Sequence, residues 1–242
     1  MTVHAPSLSR LAAVPGVAEL HSPITGLRLW LAGLDGPAPH DASAWLSPTE
    51  QARAARFVFA RDASRYRAAH LLLRRLLHQQ GGVPAGEEFE LGPHDKPHLR
   101  PGSPWGFNLS HSGALALIGI GLGDGIGVDV ESLRVVDDVW AMAEQHFGAG
   151  EYRELQRTAK PDVSRAFLSG WTRKEACLKA VGSGLSIAPA TFEVGLAPEP
   201  KVLVLETDSG SVGVCVHSVQ AGADALAAVA RTMRLPIDQE CP

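Results

Sequence analysis

Residues 171–185 read Trp-Thr-Arg-Lys-Glu-Ala-Cys-Leu-Lys-Ala-Val-Gly-Ser-Gly-Leu. Trp171, Ala176, Cys177, Leu178 and Val181 make the stretch mostly apolar. That pattern predicts a largely buried helix over 163–181, stopped at Gly182. Glu175 and Lys179 stand four residues apart and share one helix face. Inside a buried helix both charges need partners. A metal ion would satisfy the carboxylate, and a phosphate would satisfy the lysine.

The start of this helix has an echo upstream. Asp162-Val163-Ser164-Arg165 opens it, and Asp62-Ala63-Ser64-Arg65 opens an earlier helical pattern over about 62–79, closed by Gly81-Gly82. At the same offset Arg74 matches Lys174, and Gly82 matches Gly182. Such a repeat predicts two similar α+β halves with a cleft between them. The glycine-rich Gly121–Gly125 is the joint, dividing the chain into 1–124 and 125–242. Position 75 holds arginine where position 175 holds glutamate, so the first half would bring bases to the cleft and the second acids.

Around this frame, strands are predicted at 26–34, 89–92, 126–132, 191–196, 201–206 and 212–219. Within 107–121 a turn, SHSG, precedes an apolar strand. Residues 225–231 read as a strand or, in AGADALAAVART, as a helix. Ser47-Pro48-Thr49-Glu50 has the form of a helix start. Further helices are expected at 135–147 and 150–158.

Two clusters carry chemistry. In Ile126-Gly127-Val128-Asp129-Val130-Glu131, strand alternation puts both carboxylates on one face between apolar neighbours. Two close like charges repel unless a cation lies between them, and oxygen ligands suit magnesium. Asn108-Leu109-Ser110-His111-Ser112-Gly113 gathers donors that could cradle a phosphate. Seven arginines against one acid between Arg53 and Arg75 give an excess of +6, a place to hold an anion.

The bulk composition excludes other classes. The 242 residues are 45% hydrophobic and 20% charged, ordinary for a globular protein. No apolar run reaches the roughly 20 residues of a membrane span. The N-terminal residues show no secretion signal. Three widely spaced cysteines suggest neither a disulfide framework nor a zinc site, which fits the cytoplasm. A net charge of −4 argues against nucleic-acid binding. Taken by themselves, these residues leave open a magnesium-dependent phosphoryl-transfer enzyme or a non-catalytic module.

The motifs together are more specific. WTRKEACLKAVGSGL resembles the W-x-x-K-E-A-x-x-K-x-x-G-x-G-L signature of Sfp-type 4′-phosphopantetheinyl transferases. IGVDVES resembles their G-[IV]-D-[IV]-E strand, FNLSHSG their F-N-x-S-H-S-G turn, and Lys96-Pro97 their upstream Lys-Pro. The four stand in the family's order and spacing, and the likeness runs from about Leu46 to Leu185.

The resemblance implies two similar α/β halves related by a pseudo-twofold axis, with the active site in the cleft. It implies a magnesium ion, or manganese, on Asp129, Glu131 and Glu175. Lys179 would contact the phosphates of coenzyme A, as would Ser110 and His111, and Lys96 would lie along the coenzyme. Arg53 and Arg65 match basic positions near the nucleotide end. Glu50 departs from the pattern, since a basic residue can stand there. Glu151 would orient Lys179 or assist the base. The implied reaction moves phosphopantetheine from coenzyme A to a serine of an acyl, peptidyl or aryl carrier protein. Stretch 135–157 would meet that partner. A single chain would build the whole site, so a monomer is expected.

Overall fold

A computed structural model describes residues 16–36, 42–184 and 186–234. The N-terminal stretch 1–15, Leu185 and Cys241 lie outside them. The strands are β1 (Val17–Leu20), β2 (Leu27–Gly33), β3 (Glu90–Leu91), β4 (Pro97–His98), β5 (Trp105–Ser112), β6 (Leu115–Leu122), β7 (Ile126–Ser132), β8 (Lys201–Thr207), β9 (Gly210–Val219) and β10 (Ala225–Met233). The α-helices are α1 (Ala42–Trp45), α2 (Pro48–Ala55), α3 (Ala60–Gly81), α4 (Val139–His146), α5 (Ala149–Arg157) and α6 (Val163–Val181).

Two antiparallel sheets of four strands form the frame, in the orders β1-β2-β6-β5 and β7-β10-β9-β8. Each half follows one plan. A first strand (β2 or β7) leads through short helices into a long helix (α3 or α6), then into a hairpin whose last strand pairs back with the first. The expected repeat is therefore physical. Both long helices end at a glycine in the left-handed region, Gly82 at φ 66° and Gly182 at φ 69°, where a side chain would be strained.

Strand alternation sorts the core into layers. Trp30, Ile118 and Ile120 face α3 through Leu72, Leu73, Leu76 and Leu77. Their neighbours Leu29 and Leu117 turn the other way and meet Val128, Val130 and Val229 of the second sheet. The opposite face of that sheet, with Val214, Val216, Ala228 and Ala230, carries α6 through Ala176, Cys177 and Ala180. The order is helix, sheet, sheet, helix, with one apolar layer binding the halves together.

Local expectations met mixed outcomes. Ser47 caps α2 in a capping box with Glu50, and α6 spans the expected residues. Residues 225–233 are a strand, settling that ambiguity. Residues 191–196 are not a strand, because their backbone groups are taken by buried side chains of α5 and α6. Ser110, His111 and Ser112 belong to β5, and the turn comes after them at Gly113-Ala114.

Candidate active site

The site forms where β5 and β7, each the outer strand of its own sheet, run side by side. Alternate residues of β5 join them. Asn108 Oδ1 accepts from the Val128 amide at 2.9 Å, Ser110 Oγ donates to Asp129 Oδ1 at 2.7 Å, and Ser112 Oγ donates to Glu131 Oε2 at 2.6 Å. The N-x-S-x-S pattern is a strand face aimed at the neighbouring strand.

Helix α6 brings the remaining groups. A Cβ on Gly127 would sit 2.0 Å from the Ala176 carbonyl and 2.4 Å from the Ala180 amide. Only glycine lets the helix backbone come this close to β7. Lys179 Nζ then reaches Asp129 Oδ1 at 2.6 Å and Ser110 Oγ at 3.0 Å. Asp129 is buried, and its second oxygen, Oδ2, has no hydrogen-bond partner. Burial pushes the Asp129 carboxyl above its usual range, against the pull of Lys179 and Ser110. Glu175 is raised too, first by burial and then by the charges of Asp129 and Glu131, with Lys179 opposing. Glu175 makes no side-chain hydrogen bond among the described residues, whereas Glu131 also holds Arg134 at 2.7 Å.

Three carboxylates in one field, one with a buried orphan oxygen, fit a hard cation that prefers oxygen. Among the described residues no three acids close into a finished metal cage. Lys179 and Arg134 balance part of the charge.

The other expected residues fall into two groups. His111 is exposed on β5. Partial burial of its ring, with the charges of His70, Lys179 and Arg53, holds it below the usual histidine range. Arg53 lies over the Tyr66 ring at 5.8 Å. Arg53 also acts by its charge on His111. Arg65 does not turn to it, since its guanidinium grips Asp35 at 2.6 and 2.7 Å.

Lys96 donates to the carbonyls of Asp124, Ile126 and Ala180 at 3.0–3.2 Å, and burial pushes its ammonium down to about 8. It stitches the loop before β5 to β7 and the end of α6. It also rims a cavity of about 990 Å³, with Gly182, Ser183, Asp208 and Arg231. That cavity is lined by none of the three acids, so it is not where the chemistry converges.

Glu151 was expected beside Lys179. It meets Lys174 instead, at 2.8 Å, and both are fully buried. Its oxygens also accept from the amides of Gly148, Val194 and Gly195. In the first half Glu50 repeats the arrangement, bonding the Ser47 amide and Arg74. Each long-helix cation also lies over an aromatic ring, Arg74 over Phe89 at 3.6 Å and Lys174 over Phe192 at 4.6 Å. These paired knots hold the fold, and neither faces the acids of the site.

Comparison with known proteins adds an independent line. A sequence model described as the 4′-phosphopantetheinyl transferase superfamily matches residues 125–230. One described as 4′-phosphopantetheinyl transferase, N-terminal, matches residues 38–120. The chain is 36% identical over 184 residues to the 4′-phosphopantetheinyl transferase HetI of Nostoc sp., covering 73% of this chain and 77% of that one. It is 31% identical over 156 residues to psf-1 of Bacillus pumilus, 64% and 66% of the two chains. Against Sfp of Bacillus subtilis it is 27% identical over 168 residues, 69% and 74%.

Proposed function

This chain belongs to the 4′-phosphopantetheinyl transferase superfamily, and on that premise we propose how its residues transfer phosphopantetheine from coenzyme A to a carrier-protein serine. The observation that carries the proposal is Asp129. One of its oxygens is held by Ser110 and Lys179, and the other is buried and unpartnered beside two further acids.

Asp129, Glu131 and Glu175 would hold magnesium, or manganese. Such an ion, when bound, neutralises phosphate oxygens and stabilises a leaving phosphate. Lys179 would release Asp129 and take a phosphate oxygen of coenzyme A, with Ser110 as a second donor. His111 and Arg53 would bind the nucleotide end. The carrier serine attacks the phosphorus bearing the pantetheine arm. Glu175, through an oxygen left off the ion, would accept the hydroxyl proton. The diphosphate bond breaks, and 3′,5′-adenosine bisphosphate leaves.

The halves 1–124 and 125–242 would supply the nucleotide end and the acids respectively. Val135 and Trp140, 78% and 44% exposed beside the metal strand, support a carrier surface in 135–157. No helix of the described residues is long and apolar enough to cross a membrane. A cytoplasmic monomer is the working state we propose. The test is to incubate the protein with coenzyme A, magnesium and a panel of apo carrier proteins and to weigh the products. A mass gain of one phosphopantetheine on a carrier is expected. No gain on any carrier overturns the proposal.

A further inference from the structure

Resting on the coenzyme A reading above, we propose that His70, oriented by Glu50, is an additional ligand of the coenzyme's terminal 3′-phosphate. Glu50 stands where a basic residue can stand in the family, yet it presents no bare charge to the cleft. It is 5% exposed, and its oxygens are filled by the Ser47 amide, Arg74 and His70. The last of these bonds, His70 Nδ1 to Glu50 Oε1 at 2.7 Å, sets the direction of the imidazole. Tyr66 fixes the plane by stacking on His70 with centroids 4.0 Å apart. Nε2 has no hydrogen-bond partner among the described residues, and the side chain is 19% exposed.

What surrounds His70 points to an anion. Arg53 of α2 lies over the same Tyr66 ring, and His111 of β5 feels the charges of His70, Arg53 and Lys179 together. Three basic groups, from α2, α3 and α6, thus act on His111 of β5. The nearby acids are engaged from within, Glu50 by Arg74 and Asp129 by Lys179. Lys179, beside the carboxylates, suits the pyrophosphate. His70 and Arg53, gathered on the Tyr66 ring, suit the next anion along coenzyme A, which is the ribose 3′-phosphate.

Calorimetric titration of the full chain with 3′,5′-adenosine bisphosphate and with 5′-adenosine monophosphate tests this. The wild type should prefer the bisphosphate. His70→Ala should cut that preference about tenfold, the size of one charge-assisted hydrogen bond. His70→Gln, which keeps polarity and bulk, should do the same and serves if the alanine variant fails to fold. Equal weakening toward both nucleotides would make His70 merely structural and overturn the inference, as would an unchanged preference. A wild type that binds neither nucleotide sinks the coenzyme reading itself, whereas a preference insensitive to His70 sinks only this inference.

Discussion

Lys179 Nζ stands 2.6 Å from Asp129 Oδ1, while Oδ2 of the same carboxylate is buried with no partner. The two residues lie 50 positions apart, on a helix and a strand that touch because Gly127 has no side chain. Half of this carboxylate is held in place and half is without a hydrogen-bond partner among the described residues.

Asp129→Asn and Glu175→Gln should each lower transfer by at least about 10²–10³-fold, because the charge that meets a cation is gone. Lys179 is part-exposed and can turn to solvent, so the melting temperature should move little. Carrier labelling followed by mass spectrometry, with a thermal melt alongside, checks both. Either variant retaining most of its activity refutes the metal assignment.

Stability should respond to pH and magnesium in a linked way. Asp129 and Glu175 both titrate above their ordinary values in the fold. A folded acid that holds its proton better than the unfolded chain loses stability as pH rises through that interval. Magnesium on the proposed site would hold the deprotonated forms and reverse the loss. The rise in melting temperature on adding magnesium should therefore grow as pH climbs above the ordinary carboxylate range. A rise independent of pH, or one equal in Asp129→Asn, contradicts this.

Glu151→Gln should be a stability variant. Removing one member of a fully buried ion pair costs about 3–5 kcal/mol, because the other charge is stranded. Glu151→Gln with Lys174→Met should recover much of that loss. Denaturant unfolding reads the stability. Transfer per folded molecule should stay near wild type, and its collapse in a well-folded double variant would return Glu151 to the chemistry.

Gly127→Ala should push α6 off β7, since the new methyl meets helix backbone that cannot swing aside. A cost of about 1–3 kcal/mol is expected for such overpacking. Transfer should fall with it, because Glu175 and Lys179 ride on the displaced helix. Unchanged urea melting would show that the close approach does not depend on this glycine.

Much of the frame was legible in the chain. The α6 pattern and its glycine stop, the strand carrying Asp129 and Glu131, and the helix start at Ser47 are local signals. The repeat surfaced through four or five positions, and the paired knots Glu50–Arg74 and Glu151–Lys174 give it a cause. The Ser110-His111-Ser112 segment was misread because its residues favour turns in isolation. Pairing with β6 and the seam to β7 make it a strand, a tertiary override of local preference. The N-x-S-x-S alternation was the signal that could have revealed it.

Lys174 and Lys179 mark the boundary between what the two levels decide. Five residues on one helix separate them by about 140° around its axis, so sequence spacing already placed them on different faces. Which face would meet Glu151 and which Asp129 was decided only when both sheets packed. Periodicity, caps and motif spacing act over a few bonds, so the amino-acid order alone determines them. Choosing a partner dozens of residues away depends on how close two backbones can come, and here the packed fold around Gly127 made that choice.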